Sequence, residues 1–212
     1  MTAFARSERH ALCETLLAVG PDAPTLCAGW RTRDLAAHLV LRETRPVAAA
    51  GIVLTPIAGW TNRVQRTLAG QPWQDLVHRV RKPPFWTPFS WSSIEEAVNL
   101  TENFVHHEDV LRAQPGWSTP RRLEPAYEDA LWTALGARTR FFLRRSPVAV
   151  TLRRPDGATS AVPPRNGGRG EVVLAGRPGE LLLFAFGRRG HARVDVTGAD
   201  ADVAAFQRVY RR

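Results

Sequence analysis

The stretch TENFVHHEDV, residues 101–110, sets two adjacent histidines among acidic side chains. On a helix each residue turns by about 100°, so Glu102, His106 and Asp109, at i, i+4 and i+7, share one face. His107 points about 100° away from His106, and a regular helix cannot aim both imidazoles at one small ion. A carboxylate at i with an imidazole at i+4 resembles the inward-facing Glu and His of metal-binding bundles. One helix cannot close such a site. A third ligand has to come from a facing element, and His38 in RDLAAHLVLRE is the natural candidate, one turn beyond Leu35 and beside Leu39.

The same pattern has a plainer reading. Leu100, Phe104 and Leu111 lie roughly opposite Glu102, so the acidic face could meet water on an amphipathic helix. Val98 and Val105, on the same half of the helix as Glu102, suit a buried wall better. His38 stands on an apolar face, where a lone histidine is usually a hydrogen-bonded core residue. Both readings stay open on spacing alone. If the three side chains do converge, N, O and N ligands leave a coordination position open, as in catalytic rather than structural zinc sites. That position can take water or a thiol, and binding to zinc deprotonates the thiol at neutral pH.

The elements that must position these groups are legible from periodicity. Phe4, Leu12, Leu16 and Val19 fall on one face of a first helix, which Gly20-Pro21 ends. A second helix starts at Thr32, whose hydroxyl can cap free N–H groups, with Asp34 near the positive end of the dipole, and runs to about Pro46. Less regular helix follows between Gly59 and Lys82. PPFWTPFSW is too rich in proline to be regular and ends at Ser92 or Ser93, a cap for a third long helix reaching about Ala113. A fourth runs from about Pro125 to Arg144, with Leu131, Leu135 and Phe142 toward the core. Four long helices joined by loops predict an antiparallel bundle over residues 1–145.

After Ser146 the pattern turns to short alternating runs, VAVTLRR, GEVVLAG, ELLLFAFG and ARVDVTG, separated by turn signals at Pro155-Asp156-Gly157, Gly167-Gly168 and Pro178-Gly179. A closing helix over ADADVAAFQRVY would bury Val203, Phe206 and Val209 or Tyr210. Residues 146–212 therefore read as a small α+β unit, and the fold class as mainly α plus that unit. NGGRGE lacks the strand-turn-helix setting of a phosphate loop and reads as a hairpin connection.

Length and composition bound the rest. A chain of 212 residues can bury a real core as one large or two small domains. The formal charge of +9 invites a nucleic-acid guess, but Lys82 is the only lysine and the arginines are scattered in pairs such as Arg144-Arg145 and Arg153-Arg154. No helix-turn-helix, zinc-finger or RNP pattern accompanies them, so nucleic-acid binding is unsupported. The N-terminus, broken by Arg6, Glu8, Arg9 and Glu14, lacks the apolar run of a secretory signal. The longest apolar stretch, PVAAAGIVLTPIAGW, is short for a bilayer span and contains Pro56. A cytoplasmic protein is the expectation. Cys13 and Cys27 form no CxxC and read as small buried hydrophobes. His10, His78 and His191 read as surface or partly buried histidines, and Trp30 and Trp60 as packing residues. His107 reads either as a donor to the site from outside the coordination sphere or as a helix-packing residue.

TLCAGWRTRDLAAHLV followed far downstream by ENFVHHEDV resembles the mycothiol-dependent maleylpyruvate isomerase family, part of the wider DinB-like metal-binding four-helix bundles. LCxGWxxRDLxxH is the specific part of the likeness; GRPGELLLFAFGRRG resembles the family's small C-terminal domain. The resemblance implies a divalent metal, usually zinc, held by His38, Glu102 and His106. It implies a catalytic role for Asp109, and a role in catalysis and thiol-cofactor binding for Arg188, with Arg189 as its rival. The partners implied are mycothiol, a small-molecule thiol of actinobacteria, and an electrophilic substrate. The implied chemistry is thiol transfer, or cis-trans isomerisation through reversible thiol addition to a conjugated double bond. The alternative is a metal-binding module without turnover. The chain departs from the family pattern in the aromatic-proline segment around Trp86 and in the extra His107.

Overall fold

A computed structural model describes residues 4–44, 58–82 and 99–210 of the chain. The protein is mainly helical with a small four-stranded mixed sheet. It divides into two compact units, Met1–Pro120 and Arg121–Arg212.

In the first unit α1 spans Phe4–Val19, α2 Thr32–Thr44, α3 Ala58–Ala69, α4 Trp73–Arg81 and α5 Leu100–Leu111. Helix α1 packs on α4 and α5, and α2 packs on α3 and α4. Their shared core holds Leu12, Leu16, Leu35, Leu39, Leu76 and Val77, all essentially without exposure. Helix α1 ends as its sequence requires. Gly20 takes φ 81, the left-handed conformation glycine adopts without strain, and its N–H donates to the Leu16 carbonyl.

The start of α2 differs from the expected cap. The Thr32 hydroxyl donates to the Gly20 carbonyl at 2.6 Å, while the Asp34 carboxylate accepts from the Arg31 N–H at 2.9 Å. Thr32 has no exposure, and a buried hydroxyl goes to the nearest acceptor. The loop from Gly20 to Arg31 is thereby tied to the α2 start, and the Leu26 N–H, donating to the Asp109 carbonyl at 3.0 Å, ties it to α5. The expected caps at Ser92 or Ser93, the PPFWTPFSW segment and most of PVAAAGIVLTPIAGW lie outside the described residues.

In the second unit α6 spans Pro125–Leu143, β1 Ala149–Arg153, β2 Thr159–Val162, β3 Glu171–Ala175, α7 Pro178–Ala185, β4 Asp195–Gly198 and α8 Asp200–Val209. The strand order is β2-β1-β3-β4, with β1 parallel to β3 and the other pairs antiparallel. The change of sequence character near Ser146 is thus not where the units divide. Helix α6 packs on α7 and β2, so it belongs with the sheet. Leu131 and Leu135 are fully buried there and the Phe142 ring stands 4.4 Å from Phe186.

ELLLFAFG, expected as a strand, is mostly helix α7. Its apolar residues are buried on every side, so the run carries no period, and Pro178 at the first turn selects the helix. The hairpin is β1–β2, closed by the Arg154 N–H on the Ala158 carbonyl with Gly157 at φ 89. The NGGRG stretch instead joins β2 to β3 across β1, because β2 and β3 are not neighbours. Phe206 in α8 and Tyr210 just beyond it are buried, whereas Val209 is 43 % exposed. Among the described residues no helix is long and apolar enough to cross a membrane.

Candidate metal centre

Helix α5 has no solvated face. Leu100, Thr101 and every residue from Asn103 to Val110 are buried, with Glu102 half-buried. A helix carrying this many polar groups can be buried only if each finds a partner. Asn103 Nδ2 donates to the Ala5 carbonyl at 3.1 Å, and Glu108 pairs with Arg112. The His107 ring lies between Glu8 Oε1 at 2.7 Å and Thr15 Oγ1 at 2.8 Å. His107 is a packing residue that binds α5 to α1.

His106 points the other way. Its Nε2 lies 3.5 Å from Glu102 Oε2 and its Nδ1 lies 3.0 Å from Asp109 Oδ2. The His38 ring stands edge-on to the His106 ring, centroids 5.2 Å apart, and the Trp30 indole tilts against His38 at 5.1 Å. His38 and His106 are 6 % and 7 % exposed, which removes the solvated-face reading. One ligand atom each from His38, Glu102 and His106 lies within 4.8 Å of the other two.

That spacing fits a metal ion. Donors no more than 4.8 Å apart can all lie within about 2.8 Å of a common point, against zinc bonds of about 2.0–2.2 Å. The 3.5 Å His106–Glu102 separation already matches the ligand–ligand edge of about 3.3 Å in a zinc tetrahedron.

The electrostatics of the cluster follow from its burial and its paired charges. Burial works against ionising Glu102, but the hydrogen bond and charge of His106, with the Arg42 guanidinium 3.9 Å away, hold its carboxyl down at about 2. Burial likewise opposes charge on His106. Its hydrogen bonds to Asp109, Cys27 and Glu102 outweigh that, raising it well above the ordinary histidine range. An ion on Nε2 needs that nitrogen without its proton, so metal binding there competes with protonation of the ring.

Asp109, with no exposure, faces Nδ1 and not the His38–Glu102 side. It therefore orients the ring, with its carboxylate fixing the proton on Nδ1. Arg188 belongs to the second unit, where its Nη1 donates to the Phe186 carbonyl at 2.7 Å. Arg189 there lies over the rings of Phe184 and Tyr210. His10, His78 and His191 are exposed, as expected.

Two residues at the centre were not anticipated. Cys27 is no inert hydrophobe: half-buried, it donates from Sγ to Asp109 Oδ2 at 3.2 Å. Arg42 follows His38 by four residues, so helical spacing alone would have put it on the same face. Its Nη1 also donates to Asn99 Oδ1 at 3.0 Å. No protein-family model, curated protein or solved structure matches the chain.

Proposed function

We propose that the first unit is a DinB-like helical metal centre, in the manner of the mycothiol-dependent maleylpyruvate isomerases, with His38, Glu102 and His106 as ligands. The observation that supports this reading is the convergence of those side chains, from α2 and α5, within 4.8 Å of one another. Zinc or a similar divalent ion, when bound, would supply a Lewis acid with open positions at which a small-molecule thiol becomes a thiolate.

The chain's own residues do the rest. Asp109 accepts the Nδ1 proton of His106 and so directs Nε2 at the ion. His106, and after it Arg42 3.9 Å away, favours the ionised form of Glu102. Trp30 packs against His38, its ring tilted at 5.1 Å, and helps hold that imidazole in place. Thiol transfer or thiol-assisted isomerisation is the activity this arrangement serves.

Metal content of the purified protein tests the ligand set. Wild type should carry about one divalent ion per chain, and His38→Ala and Glu102→Ala should lose most of it. Equal metal in all three removes the proposed ligands. Thiol chemistry is tested separately, by calorimetric binding of mycothiol to the metal-loaded protein and by transfer to activated alkenes.

A further inference from the structure

We propose that Cys27, Asp109 and His106 form a second cation set, built on the opposite nitrogen of the same imidazole and suited to a thiophilic divalent ion. It goes beyond the His38–Glu102–His106 reading and does not depend on it. One ligand atom each from Cys27, His106 and Asp109 lies within 4.8 Å of the other two. The edges are short: Sγ to Oδ2 is 3.2 Å and Oδ2 to Nδ1 is 3.0 Å. A thiolate, a carboxylate and an imidazole make a softer set than N, O and N, and softness is what selects among divalent ions of similar size.

The position of the thiol is built, not incidental. Cys27 sits in the Gly20–Arg31 loop, and backbone bonds hold it from both sides. Leu26 N–H donates to the Asp109 carbonyl at 3.0 Å and Trp30 N–H to the Cys27 carbonyl at 2.9 Å. Thr25 Oγ1 accepts from the Cys27 N–H at 3.2 Å. The thiol is thereby presented to the very residue whose backbone anchors the loop. The same loop carries an open groove lined by Pro24, Thr25, Gly29, Trp30 and Arg31.

The two sets exchange roles around His106. With an ion on Nε2, the Nδ1 proton is held by Asp109; with an ion on Nδ1, the Nε2 proton is held by Glu102, 3.5 Å away. Each carboxylate is a ligand in one arrangement and the outer hydrogen-bond acceptor in the other, the pairing that metal-bound histidines generally require. A neutral imidazole has a single acceptor nitrogen. One ion therefore binds per chain, at one set or the other. Binding at the second set forms M–S, M–N and M–O bonds; the thiol proton passes to solvent, and the ring keeps one proton, on Nε2, any second ring proton also passing to solvent.

Cadmium is the probe. Cd²⁺ titrated into the metal-free full-length protein should produce the near-ultraviolet thiolate-to-cadmium charge-transfer band, saturating at about one equivalent. The band should survive in Cys13→Ser and be lost in Cys27→Ser. In folded wild type, Cd²⁺ should also protect Cys27 from iodoacetamide in peptide mass mapping, a readout that needs no variant to fold. No band in wild type, a band that persists in Cys27→Ser, or unchanged alkylation of Cys27 overturns the second set. Cadmium bound without the band, and released by Glu102→Gln, sinks it while leaving the first set standing. A band together with metal content indifferent to His38→Ala and Glu102→Ala supports the second set and sinks the first.

Discussion

Replacing His107 rather than His106 separates a packing role from a ligand role on neighbouring residues. His107 is 3 % exposed and its ring joins α5 to α1 through Glu8 Oε1 and Thr15 Oγ1. In His107→Ala the bond to the ionisable Glu8 group goes, worth about 1.5–3 kcal/mol, and the Thr15 bond, worth about 1 kcal/mol. Truncating a buried ring adds about 1–2 kcal/mol for the space left behind. Glu8, itself 3 % exposed, is left one partner short. The sum is about 3.5–6 kcal/mol, a large share of the roughly 5–15 kcal/mol that holds a domain. Urea denaturation followed by tryptophan fluorescence and far-ultraviolet dichroism measures it. Metal content of the folded fraction should stay at the wild-type level. His106→Ala should behave in the opposite way, losing metal. A His107→Ala protein that is fully stable but metal-free would refute the assignment of the two rings.

Asp109→Asn keeps the size of the side chain but weakens the hold on His106 Nδ1, and metal affinity should fall about 10–100-fold; competition with a chromophoric chelator checks this, and unchanged affinity contradicts the orienting role. Burial pushes the Cys13 thiol up to about 11 from 9.0. The raised value means the folded state resists ionisation, so stability is fully present below pH 9 and declines between pH 9 and 11, by about 2.7 kcal/mol at most. Denaturation midpoints across that window should show the slope, and Cys13→Ala should flatten it. Arg9 and Glu43 form an ion pair with both side chains 3 % exposed. Removing either alone should cost about 3–5 kcal/mol, whereas Arg9→Met with Glu43→Leu should come much closer to wild type; a double variant as unstable as the singles would argue against a buried-charge penalty.

The basic composition looks different once charges are placed. Arg9 and Arg112 are buried against Glu43 and Glu108 inside the first unit. Part of the positive charge is thus core chemistry and not a surface for phosphates.

Much of the first unit was legible in the amino-acid order because its helices bury recurrent apolar positions and stop at glycine. Leu12 and Leu16 in α1, Leu35 and Leu39 in α2, and Gly20 between them needed no further information. Glu102 and His106 were paired by helical spacing alone, and His38 by its apolar neighbours. The strands β1, β3 and β4 were likewise readable from alternation. ELLLFAFG was not, since a run buried all round has no period to read. The partner of α6 was not readable either. Its apolar stripe says that it packs on something, and the contacts with α7 and β2 say on what.

At the site, local order determined which side chains share a helix face: Glu102 with His106 and Asp109, and His107 apart. Only the tertiary structure decided whether that face is wet, which nitrogen of His106 meets which carboxylate, and that Cys27 reaches Asp109 across 82 positions of chain. The physical reason is range. Helical geometry correlates side chains over one or two turns, while burial, electrostatics and the convergence of α2, α5 and the Gly20–Arg31 loop depend on contacts that no local spacing encodes.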